Sequence, residues 1–94
     1  MIKMEDRIVN ISHCGYAFPA TDRELRSIVD KVRETFITNR DAFEEDFERS
    51  DDMVKNLHNL IYARVMDEKE CVNLIYIYYA MRYVKTGEKI PVTG

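Results

Sequence analysis

Cysteine is scarce: Cys14 and Cys71 stand alone, with no Cys-x-x-Cys spacing, so the sequence offers no disulfide framework. His13, Cys14, His58 and Cys71 can be assembled on paper into a zinc set, but their spacing fits no recognised ligand pattern, and no metal is expected. No long apolar run occurs and nothing near the start reads as a signal peptide, so no membrane association is expected and a reducing cytoplasm is the default compartment. Net positive charge is missing as well. A formal charge of −3 argues against a binder of duplex nucleic acid, which needs a basic surface to neutralise phosphates. A small anion held by a few local arginines stays open. There is no glycine-rich phosphate loop, no Ser or Cys nucleophile in a recognisable motif near His58, and no carboxylate pair that stands out, so neither a catalytic residue nor a cofactor is expected.

What is present is apolar and aromatic. The chain has 94 residues, 46% of them hydrophobic, with six tyrosines and four phenylalanines. A single domain of this size buries only about 60 to 65% of its unfolded surface. The surplus points to a subunit interface, hence to a homo-oligomer.

Residues 1–10 mix charge and aliphatics and read as an arm or short strand-like lead, and 11–20, with Gly15 and Pro19, read as a loop able to approach a ligand. Thr21-x-x-Glu24 is a capping-box spacing. From there Leu25, Ile28, Val29, Val32, Phe36, Phe43 and Phe47 form one helical stripe, predicting a helix to about residue 48. A second start at Ser50-Asp51-Asp52 leads into a helical period that reaches Tyr83, and Lys85-Thr86-Gly87 ends it. Asp67-x-x-Glu70 repeats the cap spacing, so this second run is either one long helix or two meeting near Asp67. Leu74 to Tyr79 favours a strand by composition alone, but the helical period on both sides favours an interface helix. The expected fold is therefore all-α: an arm and loop (1–20), then a long antiparallel helical hairpin of helix one (21–49) and helix two (51–86).

Gly15-Tyr16 lies just ahead of a stripe of Arg26, Arg33 and Arg40, spaced by seven and so drifting only about 20° per step. An aromatic face beside several cations suits a ligand with a flat base and a phosphate. The competing reading is a solvated face in which Asp22, Asp30 and Glu34 pair with Arg26, Arg33 and Lys31. The acidic run from Glu44 to Asp52 reads as a solvated turn more readily than as a phosphate mimic, and the five later tyrosines read as packing more readily than as a stacking platform.

At Gly15-Tyr16 and Asp30-Lys31-Val32-Arg33-Glu34 the chain resembles the phage anti-CBASS cyclic-nucleotide sponge family, small helical proteins that trap the second messengers of bacterial antiphage immunity. That family carries Gly-Tyr in an N-terminal loop and Asn-Arg-Val-Lys-Glu on the helix after it. The resemblance implies that Tyr16 stacks on a base of a cyclic dinucleotide such as cyclic GMP-AMP. It also implies that a cation meets the phosphate: Arg33 if the helical motif is aligned, Lys31 if the spacing from the tyrosine is kept. Arg64 and Arg82 match two arginines that flank an apolar stretch of the family's last helix, the first of which helps bind cyclic trinucleotides; the family's Arg-Trp pair would here be Arg64-Val65. The ligand-binding set is then Gly15, Tyr16, Pro19, Arg26, Lys31, Arg33, Arg64 and Arg82, in a hexamer built from dimers, acting without catalysis in the cytoplasm of an infected bacterial host. The alternative is a helical protein-protein inhibitor or adaptor, working through the tyrosine-rich helix or the acidic 44–52 segment.

Overall fold

In a computed structural model, which describes residues 7–13, 15–57, 59 and 67–93, the chain is not all-α. Among the described residues two strands, β1 (Ile8–His13) and β2 (Tyr16–Thr21), precede the helices α1 (Asp22–Thr38), α2 (Arg40–Lys55) and α3 (Glu68–Thr86), and a two-residue strand β3 (Val92–Thr93) follows them. The strands make one antiparallel sheet in the order β2-β1-β3.

The expected arm and loop are thus a β-hairpin. Val9 and Ile11 of β1 and Phe18 and Ala20 of β2 alternate with exposed or half-buried neighbours, and all four are buried against the helices. That is the two-residue period of a sheet with one buried face. Gly15 has a left-handed φ of +83° and closes the turn between His13 and Tyr16, which pair across the strands. Pro19 is tolerated because β2 is an edge strand, where no third strand asks for its missing N–H. On the other edge Ser12 donates to the Pro91 carbonyl at 2.8 Å, which ties the end of the chain to β1.

The expected helical hairpin is also replaced. Helix one does not reach residue 48, because Asn39 leaves the helical region (φ −149°, ψ 77°) and its side chain accepts from the Ala42 amide, capping a new helix. Thr35 and Thr38 donate to the Lys31 and Glu34 carbonyls, the local side-chain bonds that weaken a helix near its end. Ser50 is no helix start; it lies inside α2, 8% exposed. The long second helix is divided, since α2 ends at Lys55 and α3 begins after Asp67. There a full capping box forms: Asp67 Oδ1 accepts from the Glu70 amide at 2.8 Å and Glu70 Oε2 accepts from the Asp67 amide at 3.2 Å. At Thr21 the hydroxyl accepts from the Glu24 amide and donates to the Glu24 carboxylate, so the carboxylate reaches the side chain rather than the backbone. Gly87 ends α3 in the left-handed conformation (φ +79°), where a side chain would be strained.

The segment from Leu74 to Tyr79 is helical, and α3 is the central element. Its Cys71, Ile75, Tyr76 and Tyr78 pack with the inner face of the sheet, Leu25 and Val54, while Ala80 and Met81 pack with Val32 of α1 and Phe43 of α2. Phe43, Ile11 and Ile75 are fully buried. Burying each such side chain is worth about 1.5 to 3 kcal/mol. Among the described residues no helix is long and apolar enough to cross a membrane.

Candidate functional site

α1 lies on α3 with a cleft along each of its flanks. On one flank Asp22, Leu25, Arg26, Val29, Asp30 and Arg33 face Tyr83 of α3 and Ile90 of the C-terminal segment across a cleft of about 360 Å³. On the other, Ile28, Lys31, Val32 and Thr35 face Asn73, Ile77 and Met81 of α3, with Phe43 and Asp46 of α2 beside them, across a cleft of about 490 Å³.

Arg26 and Arg33 therefore meet in one cleft with an aromatic ring. Tyr83 is 38% exposed, so part of its ring is available to a ligand. The pairs expected to neutralise these arginines are not formed: neither makes an ion pair within 4 Å among the described residues, and Asp22 instead pairs with Arg7 at 3.5 Å. Seven residues of helix place the two Cα atoms about 10 Å apart along the axis. Guanidiniums so spaced address two anionic groups more naturally than one. Asp30 lies between them, but an exposed i,i+3 or i,i+4 pair is worth only about 0.2 to 0.5 kcal/mol, less than a charge-assisted bidentate bond to phosphate.

The other sequence-predicted residues are placed elsewhere. Lys31, two positions before Arg33, is about 200° away around the helix and lines the opposite cleft. Tyr16 is 54% exposed at the end of the hairpin, with its ring 6.5 Å from that of Phe18, and neither Tyr16 nor Pro19 lines either cleft. Arg40 folds back on its own helix junction, its guanidinium 3.5 Å from the Phe36 ring centroid and its Nε donating to the Phe36 carbonyl. Arg64, Cys14 and His58 lie outside the described residues.

Arg82 is committed to the fold. One guanidinium nitrogen donates to the Tyr78 hydroxyl at 3.3 Å and the other to Glu88, while Tyr78 donates to Asp51 at 3.2 Å and Asp51 pairs with Lys55 at 2.8 Å. The guanidinium also stands 5.5 Å and 6.0 Å from the Tyr78 and Tyr79 ring centroids. The Lys55 and Tyr78 hydrogen bonds hold the Asp51 carboxyl below its ordinary pKa, the Lys55 bond contributing most, whereas burial raises that of the Tyr78 phenol. His13 Nδ1 lies 2.6 Å from the Tyr79 hydroxyl; burial, and secondarily the Arg82 charge, push the imidazole pKa down, so it favours the neutral ring. A run of ring contacts joins these groups, from Phe36 through Phe43, Phe47 and Tyr78 to Tyr79 and His13. Tyr78 and Tyr79 are thus packing residues.

Sequence reasoning missed Tyr83 as a cleft wall and the His13–Tyr79 pair. Tyr83 had a signal, because it stands one turn beyond Tyr79 near the end of its helix. His13 had none, since its partner is 66 positions away. Among the described residues no cluster of His, Cys, Asp and Glu is placed to hold a metal.

Compared with protein-family models, curated proteins and solved structures, the chain matches none.

Proposed function

We propose that this chain is a non-catalytic binder of a phosphate-bearing nucleotide, with a cyclic dinucleotide as the ligand class, and that Arg26 and Arg33 receive its phosphates. The observation that carries the reading is the presence of two guanidiniums, unpaired among the described residues, in one cleft with the Tyr83 ring. Cyclic dinucleotides suit the spacing because they carry two phosphates, and the Tyr83 edge offers apolar contact to a base. The resemblance to the sponge family adds the physiological role: sequestration of the messenger to block CBASS signalling, without cleavage.

The fold the resemblance implies is not the fold of this chain, so the proposal stands on the cleft. Tyr16 does not line the cleft that holds Arg33 among the described residues. A site that used both would be formed between two copies, each supplying its tyrosine to the other's arginine, in keeping with a homo-oligomer.

Calorimetry and thermal shift with 3′,3′-cyclic GMP-AMP test the reading. Binding should raise the melting temperature, since ligand at a hundred times Kd stabilises by about 2.7 kcal/mol, and the ligand should be recovered intact after the protein is denatured. Recovery of linear or hydrolysed product would rule out sequestration. An adaptor would instead co-purify with a host protein and show no nucleotide affinity.

A further inference from the structure

The arginine cleft carries more than cations. Two carboxylates, Asp22 and Asp30, line it with Arg26, Arg33 and Tyr83, and they stand in different circumstances. Asp22 is partly buried and held by Arg7 at 3.5 Å. Asp30 is exposed and pairs with none of the described residues, although it shares the cleft with two guanidiniums. It stands four residues after Arg26 and three before Arg33, about 6 Å and 4.5 Å along the helix axis. One nucleotide unit with its phosphate on either arginine can therefore reach it.

A ligand that brought only phosphates would occupy the guanidiniums and leave the Asp30 carboxylate facing like charge, which is costly. The mixed charge of the cleft thus favours a ligand that joins phosphates to hydrogen-bond donors. Of the common bases, guanine alone offers two donors side by side, N1–H and the 2-amino group, matched to the two oxygens of a carboxylate. Adenine and cytosine set an amino donor beside a ring-nitrogen lone pair, which a carboxylate repels, and uracil flanks its single donor with two carbonyls.

We infer, on the footing that the cleft takes a cyclic dinucleotide, that Asp30 selects guanine. Its carboxylate accepts from N1–H and the 2-amino group of the base, Arg26 and Arg33 hold phosphate, and Tyr83 packs against the base.

Calorimetry with three 3′,3′-linked ligands, cyclic di-GMP, cyclic di-IMP and cyclic di-AMP, tests it. Wild type should bind cyclic di-GMP about tenfold or more tighter than cyclic di-AMP, because a two-bond pair to a base edge discriminates by at least that much. Cyclic di-IMP keeps N1–H but lacks the 2-amino group, so it should fall between them. Asp30→Ala should bring cyclic di-GMP to within about twofold of cyclic di-AMP without weakening cyclic di-AMP, and its unfolding midpoint should match that of wild type, since the position is exposed and unpaired. An aspartate with a merely structural role would instead lower both affinities together. Arg33→Ala should weaken all three ligands, because the phosphate is common to them. Wild-type affinity for cyclic di-AMP equal to or above that for cyclic di-GMP, or a guanine preference that persists in Asp30→Ala, overturns guanine selection and leaves the nucleotide cleft standing; no binding of any of the three overturns both.

Discussion

Arg26 and Arg33 on α1 and Arg82 on α3 are the same residue type in opposite circumstances. Arg82 lies over two tyrosine rings, donates to Tyr78 and Glu88, and belongs to a network that reaches Asp51 and Lys55. Arg26 and Arg33 line an open cleft and pair with no described residue. A guanidinium whose donors are used inside the fold has little left for a ligand, and one whose donors are idle adds little to stability. Stability and binding should therefore separate cleanly between the two places.

The sharpest break would come from Tyr78, on which Arg82 rests. Tyr78→Ala removes a buried ring stacked on Phe47 and should cost about 3 to 5 kcal/mol, read as a lower midpoint in denaturant unfolding. Arg82→Ala should cost about 1 to 2 kcal/mol, a fall in melting temperature of about 4 to 16 °C, while nucleotide affinity is kept. At the open cleft the balance reverses: Arg26→Ala or Arg33→Ala should change stability by no more than about 0.5 kcal/mol and weaken a cyclic dinucleotide by about tenfold or more.

The smallest effect concerns pH. Folding lowers the His13 pKa below its ordinary value of 6.5, so near and below that value the unfolded chain binds more protons than the folded one, and stability falls as pH drops. Asp51, whose pKa is also lowered, adds a second loss as pH falls below 3.8. His13→Gln should flatten the melting-temperature profile between about pH 5 and 6.5 relative to wild type, and an unchanged slope would show that His13 does not carry it.

How much of this was legible in the sequence depends on the range of the interaction. The local signals at Thr21, Asp67 and Gly87 are visible because cap and partner lie within four residues. The Asn39 junction carries such a signal too, in a capping residue followed by Asp41, but the phenylalanines on both sides keep the helical spacing and mask it. The hairpin was legible only if Val9/Ile11 and Phe18/Ala20 were read as two alternating runs about Gly15; taken one at a time, each run is too short to outweigh a loop reading. The strand β3 has two residues and takes its place from the Ser12–Pro91 bond, so nothing local announces it. For the site, the seven-residue spacing of Arg26 and Arg33 was enough to place them on one face. What covers that face is α3, and only the tertiary packing decides that Tyr83 joins Arg33 while Lys31 turns away.

The central claim is that the arginine cleft is a ligand site and not a solvated surface. Calorimetric titration of 3′,3′-cyclic GMP-AMP into the wild type and the Arg26→Ala/Arg33→Ala double variant, with unfolding curves for both, tests it most directly. Saturable binding by the wild type, lost in a double variant that is as stable as the wild type, is the predicted result; no binding by the wild type, or equal binding by both, would contradict it.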